Sequence, residues 1–143
     1  KYSVDAAMLK KLQTEFAAGY ANDEQTAETI RSLFDRTGYI CDTHTAVAVK
    51  VYEDYVKATG DNTKTVIAST ASPFKFANSV LNALGKPSTG DDFKLLIELS
   101  AIAEQKIPDK LCELETKTER FNKIVEPNDM KATVADWLIK GDL

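Results

Sequence analysis

The spacing of apolar residues along the chain predicts a mainly helical protein. Near its start, apolar side chains recur three and four positions apart, which is the period of one helical face. Ser3 can cap the first of these helices. Asn22, with Gln25 three residues later, forms a plausible capping box for a second helix, which Gly38 would end.

A third amphipathic segment can be interpreted in two ways. The residues Val47–Val51 favour a strand by propensity alone. However, apolar and aromatic residues continue at helical spacing through Tyr52 and Tyr55, and Gly60 is typical of a helix end. We therefore predict a helix over Ala46–Thr59.

One segment has the pattern of a strand. Lys64–Ala68 is short, β-branched and apolar at its centre, as a buried parallel strand would be. It leads into Ser72 and Pro73, which are favourable residues for the N-cap and the first position of a helix. That helix is predicted to end at Gly85.

Three further helices are predicted in the second half of the chain. One opens at Asp91 or Asp92, a short one opens at Pro108, and the last follows Pro127. The whole pattern thus predicts about seven helices and one strand. A lone buried strand would leave backbone groups unpaired, at a cost of about 1–3 kcal/mol each. Its partners should therefore lie elsewhere, and a start at Lys1 without a methionine fits a fragment.

Composition and charge narrow the functional classes. The 143 residues carry a net charge of −4, and the basic residues are scattered rather than clustered. We therefore expect neither a nucleic-acid partner nor a membrane partner. Cys41, Cys112 and the single histidine are too few and too far apart for a structural zinc site. Without a signal peptide or a long apolar run, the chain is expected in the cytoplasm with both thiols reduced.

Two polar segments could carry chemistry. Ser69, Thr70 and Ser72 lie where the predicted strand meets a helix N-terminus, the place where ligands gather in α/β proteins. Asp42 and His44 precede the third helix, and a carboxylate with an imidazole can serve acid–base chemistry. Both segments also have a purely structural interpretation, in which the polar side chains cap helices and satisfy nearby backbone groups. Spacing alone leaves these alternatives open.

The same two segments carry a family resemblance. Residues 42–48 read Asp-Thr-His-Thr-Ala-Val-Ala, and residues 67–76 read Ile-Ala-Ser-Thr-Ala-Ser-Pro-Phe-Lys-Phe. They are similar to an Asp-Pro-His-Thr-Ala box and a Ser-Thr-Ala-x-Pro-x-Lys-Phe box at this separation, and together they resemble the C-terminal portion of threonine synthases. Thr43 stands where the first box usually has Pro, and Ser72 where many members have His.

The resemblance implies a fold, an activity and site residues. Threonine synthases are pyridoxal-phosphate enzymes of the tryptophan-synthase-β-like fold, and they convert O-phospho-L-homoserine and water into L-threonine and phosphate. This implies an α/β fragment, mainly helical, whose one or two strands belong to the sheet of the parent enzyme. It also implies that Thr70 faces the pyridine nitrogen of the cofactor with Ser69 close by. Asp42 and His44 would lie beside the pocket as candidate catalytic residues, whereas the role of Lys75 stays open.

The family's Schiff-base lysine and its phosphate-binding loop have no counterpart in this chain. We therefore expect residues 1–143, which show no internal domain boundary, to need the rest of a threonine synthase chain for activity and for cofactor binding. Apolar surface left by the missing part should make the segment self-associate. Two alternatives stay open: a free-standing helical interaction module without catalysis, and a related amino-acid lyase or synthase with another substrate.

Overall fold

The computed structural model describes residues 3–87, 89–120 and 122–140, and this part of the chain is helical. It contains seven α-helices, which confirms the predicted number. The helices are α1 (Ala6–Glu15), α2 (Asp23–Thr37), α3 (Thr43–Thr59), α4 (Ala77–Ala83), α5 (Asp92–Ala103), α6 (Asp109–Cys112) and α7 (Met130–Lys140). Short 3-10 segments occupy Pro73–Phe76, Glu113–Thr116 and Pro127–Asp129.

The chain divides into two compact units. The first, Lys1–Cys112, contains α1 to α6 and the buried core, and the second, Glu113–Leu143, contains α7. In the second unit, Lys123 Nζ lies 5.9 Å from the centre of the Trp137 ring, a cation–π distance. The expectation that residues 1–143 form one segment of a larger enzyme stays a prediction.

The ends of α2 follow the sequence signals. The Asn22 side chain accepts from the Gln25 backbone N–H at 2.8 Å, and the Gln25 side chain accepts from the Asn22 backbone N–H at 2.9 Å. This reciprocal capping box satisfies two donors that a helix start leaves free. Gly38 ends the helix in the left-handed conformation, with a φ of 72°. The predicted capping box and stop are both confirmed.

Helix α1 begins at a different cap from the predicted one. Asp5, rather than Ser3, is the N-cap, and its carboxylate accepts from the Met8 backbone N–H at 2.8 Å. A carboxylate also interacts favourably with the positive end of the helix dipole, which a serine hydroxyl does less. The helix stops at Glu15, and its apolar side chains are 42–49% exposed at Met8, Leu9 and Leu12.

The ambiguous third segment is a helix, and its strand interpretation is wrong. Helix α3 spans Thr43–Thr59 and ends at Gly60, whose φ is 71°. It begins three residues before Ala46 because Asp42 supplies the cap. Val49 is buried and Val47 is half-buried, so the apolar run serves one helical face rather than two faces of a strand.

The core is built by α2 to α5. Helix α2 packs against α3 and α4, and α4 packs against α5. Leu81 of α4 and Leu99 of α5 are fully buried at its centre. The other buried apolar residues of this core cluster are Ile30, Ile40, Cys41, Ala46, Phe74, Ala77, Val80, Ala83, Leu95 and Leu96.

A side chain of α2 also closes the end of α4. Arg31 Nε donates to the carbonyl oxygen of Ala83, the last residue of α4, at 2.8 Å. A guanidinium at this place satisfies a carbonyl that the helix itself cannot use and complements the negative end of the helix dipole. The two helices are therefore joined by a polar contact as well as by the apolar core.

The predicted strand is not confirmed. Lys64–Ala68 has no regular secondary structure, and no strand occurs within the residues that the structure describes. Val66, at the centre of the segment, is 91% exposed. A strand is stabilised by hydrogen bonds to a neighbouring strand, and residues 3–87, 89–120 and 122–140 supply no such neighbour.

None of the helices in the described ranges combines the length and the apolar character that crossing a membrane requires. The longest of them, α3, has 17 residues. Its sequence includes Lys50, Glu53, Asp54 and Lys57. A spanning helix needs about 20 predominantly apolar residues.

The core predicts a large difference between two substitutions in α5. Leu99→Ala should lower the free energy of unfolding by about 3 kcal/mol, because it opens a cavity at a fully buried position. Ile97→Ala, in the same helix but 63% exposed, should change it by less than about 0.5 kcal/mol. Urea unfolding of both variants tests this. Equal losses would mean that α5 does not pack in the described orientation.

Candidate functional site

The candidate site is built around the carboxylate of Asp42, which is fully buried at the start of α3. Oδ1 accepts from the backbone N–H of His44 at 2.9 Å and from that of Thr45 at 3.3 Å. Oδ2 accepts a short hydrogen bond from the Thr45 hydroxyl. The structural interpretation of Asp42 as a helix cap is therefore correct, and the cap is unusual in being completely buried.

These hydrogen bonds keep the buried group charged. Burial alone would raise the pKa of Asp42, since it disfavours a charge. The Thr45 hydroxyl and the backbone N–H groups of Thr45 and His44 outweigh this effect, so the pKa lies below the ordinary 3.8. The site therefore contains a fixed negative charge at neutral pH.

The neighbouring thiol is not a nucleophile. Cys41 is fully buried in the apolar core and forms no disulfide. Burial, together with the charge of Asp42, raises the pKa of Cys41 from 9.0 to about 11. The thiolate is the reactive form, and it is absent at neutral pH under these conditions. The role of Cys41 is packing.

His44 lies on the surface beside the buried carboxylate. Its side chain is 65% exposed, and its Nδ1 lies 3.4 Å from Asp42 Oδ1 and 3.5 Å from Thr43 Oγ1. Its ring also contacts the ring of Phe76, with centres 5.0 Å apart and planes inclined at 49°. Because Nδ1 faces Asp42 and Thr43, Nε2 is the ring nitrogen that remains available to other molecules.

The second polar segment meets the first at this point. Ser69 Oγ lies 3.2 Å from Thr45 Oγ1, a hydrogen-bond distance between residues 24 positions apart in sequence. Ser69 and Thr70 are both exposed. The Thr70 hydroxyl forms no hydrogen bond within the described ranges. The structure thus brings the two boxes together through Thr45 and Ser69, and through the His44 and Phe76 rings.

The helix that follows begins as predicted, with one difference. Ser72 is the N-cap, its hydroxyl accepting from the Phe74 backbone N–H at 3.3 Å, and Pro73 occupies the first position. The first turn is a 3-10 helix, and α4 begins only at Ala77. Phe74 is buried in the core, which anchors this turn.

Lys75 points away from the core. It is exposed, and its Nζ lies 5.9 Å from the centre of the Phe76 ring. The ring of Phe76 is therefore near both a cation and the imidazole of His44. The described structure gives Lys75 no ion-pair partner, so its charge is available at the surface beside Phe76.

The site presents hydrogen-bonding groups at the surface that could orient an organic ligand. The described residues contain no cluster of three or more histidine, cysteine, aspartate or glutamate side chains that could hold a metal. The surface offers two hydroxyls, one imidazole and one ammonium group, supported from below by the Asp42 carboxylate. Donors and acceptors of this kind orient a ligand by hydrogen bonds.

Two contributors were missed from the sequence. Thr45 and Phe76 both lie inside the quoted boxes, but nothing assigned them a contact. The sequence does carry a signal for Thr45. It is the third residue after the Asp42 N-cap, the position from which a side chain can form a hydrogen bond with the N-cap residue. No signal in the sequence pairs Phe76 with His44, because that contact joins two separate helices.

Comparison with known proteins gives a family match over most of the chain. The family model described as "Threonine synthase, C-terminal" matches residues 45–135. The match includes Thr45, Ser69, Thr70 and Phe76. It begins at Thr45, so Asp42 and His44 lie just outside it.

Individual relatives match a shorter part of the chain. "Threonine synthase-like 1" of Homo sapiens is 38% identical over 84 residues, or 58% of this chain and 11% of that protein. "Threonine synthase" of Saccharomyces cerevisiae is 35% identical over 89 residues, or 59% of this chain and 17% of that protein. "Threonine synthase" of Haemophilus influenzae is 33% identical over 72 residues, or 50% of this chain and 16% of that protein. The matches thus span less than a fifth of each of these relatives.

The charge of Asp42 predicts a pH-dependent stability difference. Its lowered pKa contributes stability that is present above the ordinary value of 3.8 and is lost as the pH falls through the folded-state value. At pH 7, Asp42→Asn should lower the free energy of unfolding by about 2 kcal/mol, because it weakens charge-assisted hydrogen bonds. At pH 3 the difference from the unsubstituted chain should be smaller.

Urea unfolding at both pH values measures this difference. Asp35→Asn is the matched control, since Asp35 is an exposed residue of α2 and its substitution should cost less than about 0.5 kcal/mol. A loss for Asp42→Asn that is the same at pH 7 and pH 3 would mean that shape, and not charge, is what Asp42 contributes.

Proposed function

Since this chain belongs to the threonine synthase C-terminal family, we propose that it is the C-terminal part of a pyridoxal-phosphate-dependent threonine synthase. The complete enzyme converts O-phospho-L-homoserine and water into L-threonine and phosphate. The observation that carries this proposal is the meeting of the two sequence boxes, where Ser69 Oγ lies 3.2 Å from Thr45 Oγ1. Two separate motifs that form one polar surface are expected of a binding site more than of unrelated helix caps.

Thr70 is the residue that we assign to the cofactor, with Ser69 beside it. Pyridoxal phosphate, when bound, supplies an electron sink for bond cleavage in an amino-acid substrate. The Thr70 hydroxyl is exposed and makes no hydrogen bond among the described residues, so it is free to donate to a pyridine nitrogen. A hydroxyl fits an unprotonated nitrogen, whereas a carboxylate at this place would keep that nitrogen protonated.

His44 and Asp42 are the candidate acid–base residues. His44 Nδ1 faces the Asp42 carboxylate at 3.4 Å, so Nε2 is the nitrogen that could exchange a proton with a substrate. Asp42 is buried and hydrogen-bonded, and it would orient the ring rather than contact the substrate. Lys75 adds a positive charge close by, which would favour a phosphate-bearing substrate.

The segment needs the rest of a threonine synthase chain as its partner. None of its lysines stands in the context of the family's Schiff-base lysine, so the isolated segment should bind no cofactor and make no threonine. In the complete enzyme Lys64–Ala68 would add to the parent sheet as a strand, since neighbouring strands would pair its backbone groups. We place the enzyme in the cytoplasm, with no nucleic-acid or membrane partner.

A free-standing helical interaction module is the less favoured alternative. The helices α1 and α7 have exposed apolar side chains that would suit such a module. However, the family match includes the polar surface at Ser69 and Thr70, which an interaction module would not require.

In the full-length enzyme, Thr70→Ala should lower the turnover of O-phospho-L-homoserine by about tenfold or more, because it removes one hydrogen bond to the cofactor. Thr59→Ala, at an exposed position at the end of α3, should leave the turnover unchanged. The measurement is steady-state release of phosphate and threonine. The cofactor band in the absorption spectrum, recorded for each variant, shows whether the electronics of the cofactor change as well.

Borohydride reduction and intact-mass analysis test the cofactor assignment. A reduced pyridoxyl group on a lysine of the full-length protein, and none on residues 1–143, is the expected result. Absence of any adduct would reject the proposed function. An adduct without turnover of O-phospho-L-homoserine would point instead to a related lyase or synthase with another substrate.

The exposed face of α1 predicts self-association of the isolated segment. Leu12 is 42% exposed and Phe16, directly after the helix, is 72% exposed, and such apolar surface favours association. Leu12→Glu should shift the segment toward a monomer, whereas Gln13→Glu, which adds the same charge at the adjacent exposed position, should not. Sedimentation at several concentrations measures this. A monomeric unsubstituted segment at high concentration would contradict the expectation.

A further inference from the structure

We propose that Thr45 is a positioning residue, which transmits the fixed orientation of the buried Asp42 carboxylate to Ser69 and thereby holds the Thr70 hydroxyl toward the cofactor. This inference rests on the proposed function for its cofactor part. It depends on three features: the burial of Thr45, the direction of its hydroxyl proton, and the small number of hydrogen bonds that hold residues 64–71.

The first feature is the difference in burial between the residues on the core side of the contact and those on its surface side. Asp42 is fully buried and Thr45 is 5% exposed, whereas Ser69 and Thr70 are exposed. The Asp42 carboxylate is held by two backbone N–H groups of α3, so it cannot reorient without breaking the helix start. The contact through Thr45 therefore leads from a rigid group in the core to the surface.

The second feature is the proton order. Thr45 has one hydroxyl proton, and it lies in the short hydrogen bond to Asp42 Oδ2, because a carboxylate cannot donate. The proton between Thr45 and Ser69 must then come from the Ser69 hydroxyl, which donates to Thr45 Oγ1 over 3.2 Å. The other acceptor near Ser69 Oγ, the carbonyl oxygen of Ala71, is farther away at 3.5 Å. Ser69 is thus oriented by Asp42 through Thr45.

The third feature is how little else holds this part of the chain. Within the described ranges, the contact between Thr45 and Ser69 is the one hydrogen bond that joins residues 64–71 to the helical core. The remaining side-chain hydrogen bond of the segment is local, from Thr65 to the carbonyl of Thr63, and the Ala71 carbonyl oxygen lies 3.5 Å from Ser69 Oγ, whose one proton is donated to Thr45. Removing the Thr45 hydroxyl should therefore loosen the backbone that carries Thr70.

The full-length enzyme with Thr45→Val tests the proposal, since valine keeps the size of the side chain and removes the hydroxyl. We expect the dissociation constant for pyridoxal phosphate to rise about tenfold, the effect of one lost hydrogen bond to a charged group. The NMR order parameters of residues 69–71 in the cofactor-free protein should fall, from about 0.85 toward about 0.6. Thr45→Ser keeps the hydroxyl and should restore the dissociation constant to within about twofold of the unsubstituted enzyme, and the order parameters to its values.

Thr29→Val is the matched control. Thr29 is a helical residue that is also 5% exposed, and its hydroxyl donates to the Gln25 carbonyl at 2.7 Å, away from the site. It should leave cofactor affinity and the order parameters of residues 69–71 unchanged. Equal effects of Thr29→Val and Thr45→Val, or failure of Thr45→Ser to restore them, would overturn the proposal.

Ser69→Ala gives a second test at the exposed end, where folding is not at risk. It should lower the order parameters of residues 69–71 in the cofactor-free protein to the same extent as Thr45→Val, and the double variant should show no further decrease. Additive effects would overturn the proposal. If the unsubstituted enzyme binds no pyridoxal phosphate, the proposed function fails, and the order parameters of residues 69–71 still decide whether Thr45 holds this part of the chain.

Discussion

The buried carboxylate of Asp42 is the group on which the rest of the site depends. A charge with no exposure to water costs several kcal/mol unless protein donors replace the lost hydration. Here the start of α3 supplies two backbone N–H groups, and Thr45 supplies a hydroxyl. The same interaction therefore starts the helix, keeps the charge at neutral pH, and fixes the position of a hydroxyl that contacts Ser69.

The helical core gives this group a rigid support. Ile40 and Cys41, directly before Asp42, are fully buried among side chains of α2, α4 and α5. On the other side of the site, buried Phe74 fixes the turn that follows Ser72. The second box is thus attached to the core by packing after Ser72, whereas at Ser69 it is attached by one hydrogen bond. This difference is the physical basis for assigning a positioning role to Thr45.

The structure also agrees with a segment that is incomplete by itself. Residues 64–68 have a strand-like sequence but no strand partner among the described residues, and Val66 is almost fully exposed. The apolar face of α1 is likewise uncovered by the part of the chain that the structure describes. Both features have one explanation in the proposed parent enzyme, where a sheet and further helices would cover these surfaces.

The sequence by itself determined the local elements. The capping box of Asn22, the glycine ends at Gly38 and Gly60, and the start at Ser72 and Pro73 depend on neighbouring residues, so they could be predicted and were correct. The two boxes also identified the family, since their residues are contiguous in sequence. Only the tertiary structure decided that Lys64–Ala68 forms no strand, and which contacts Thr45 and Phe76 make. A strand needs a partner and these contacts join separate elements, and neither condition can be read from a local pattern.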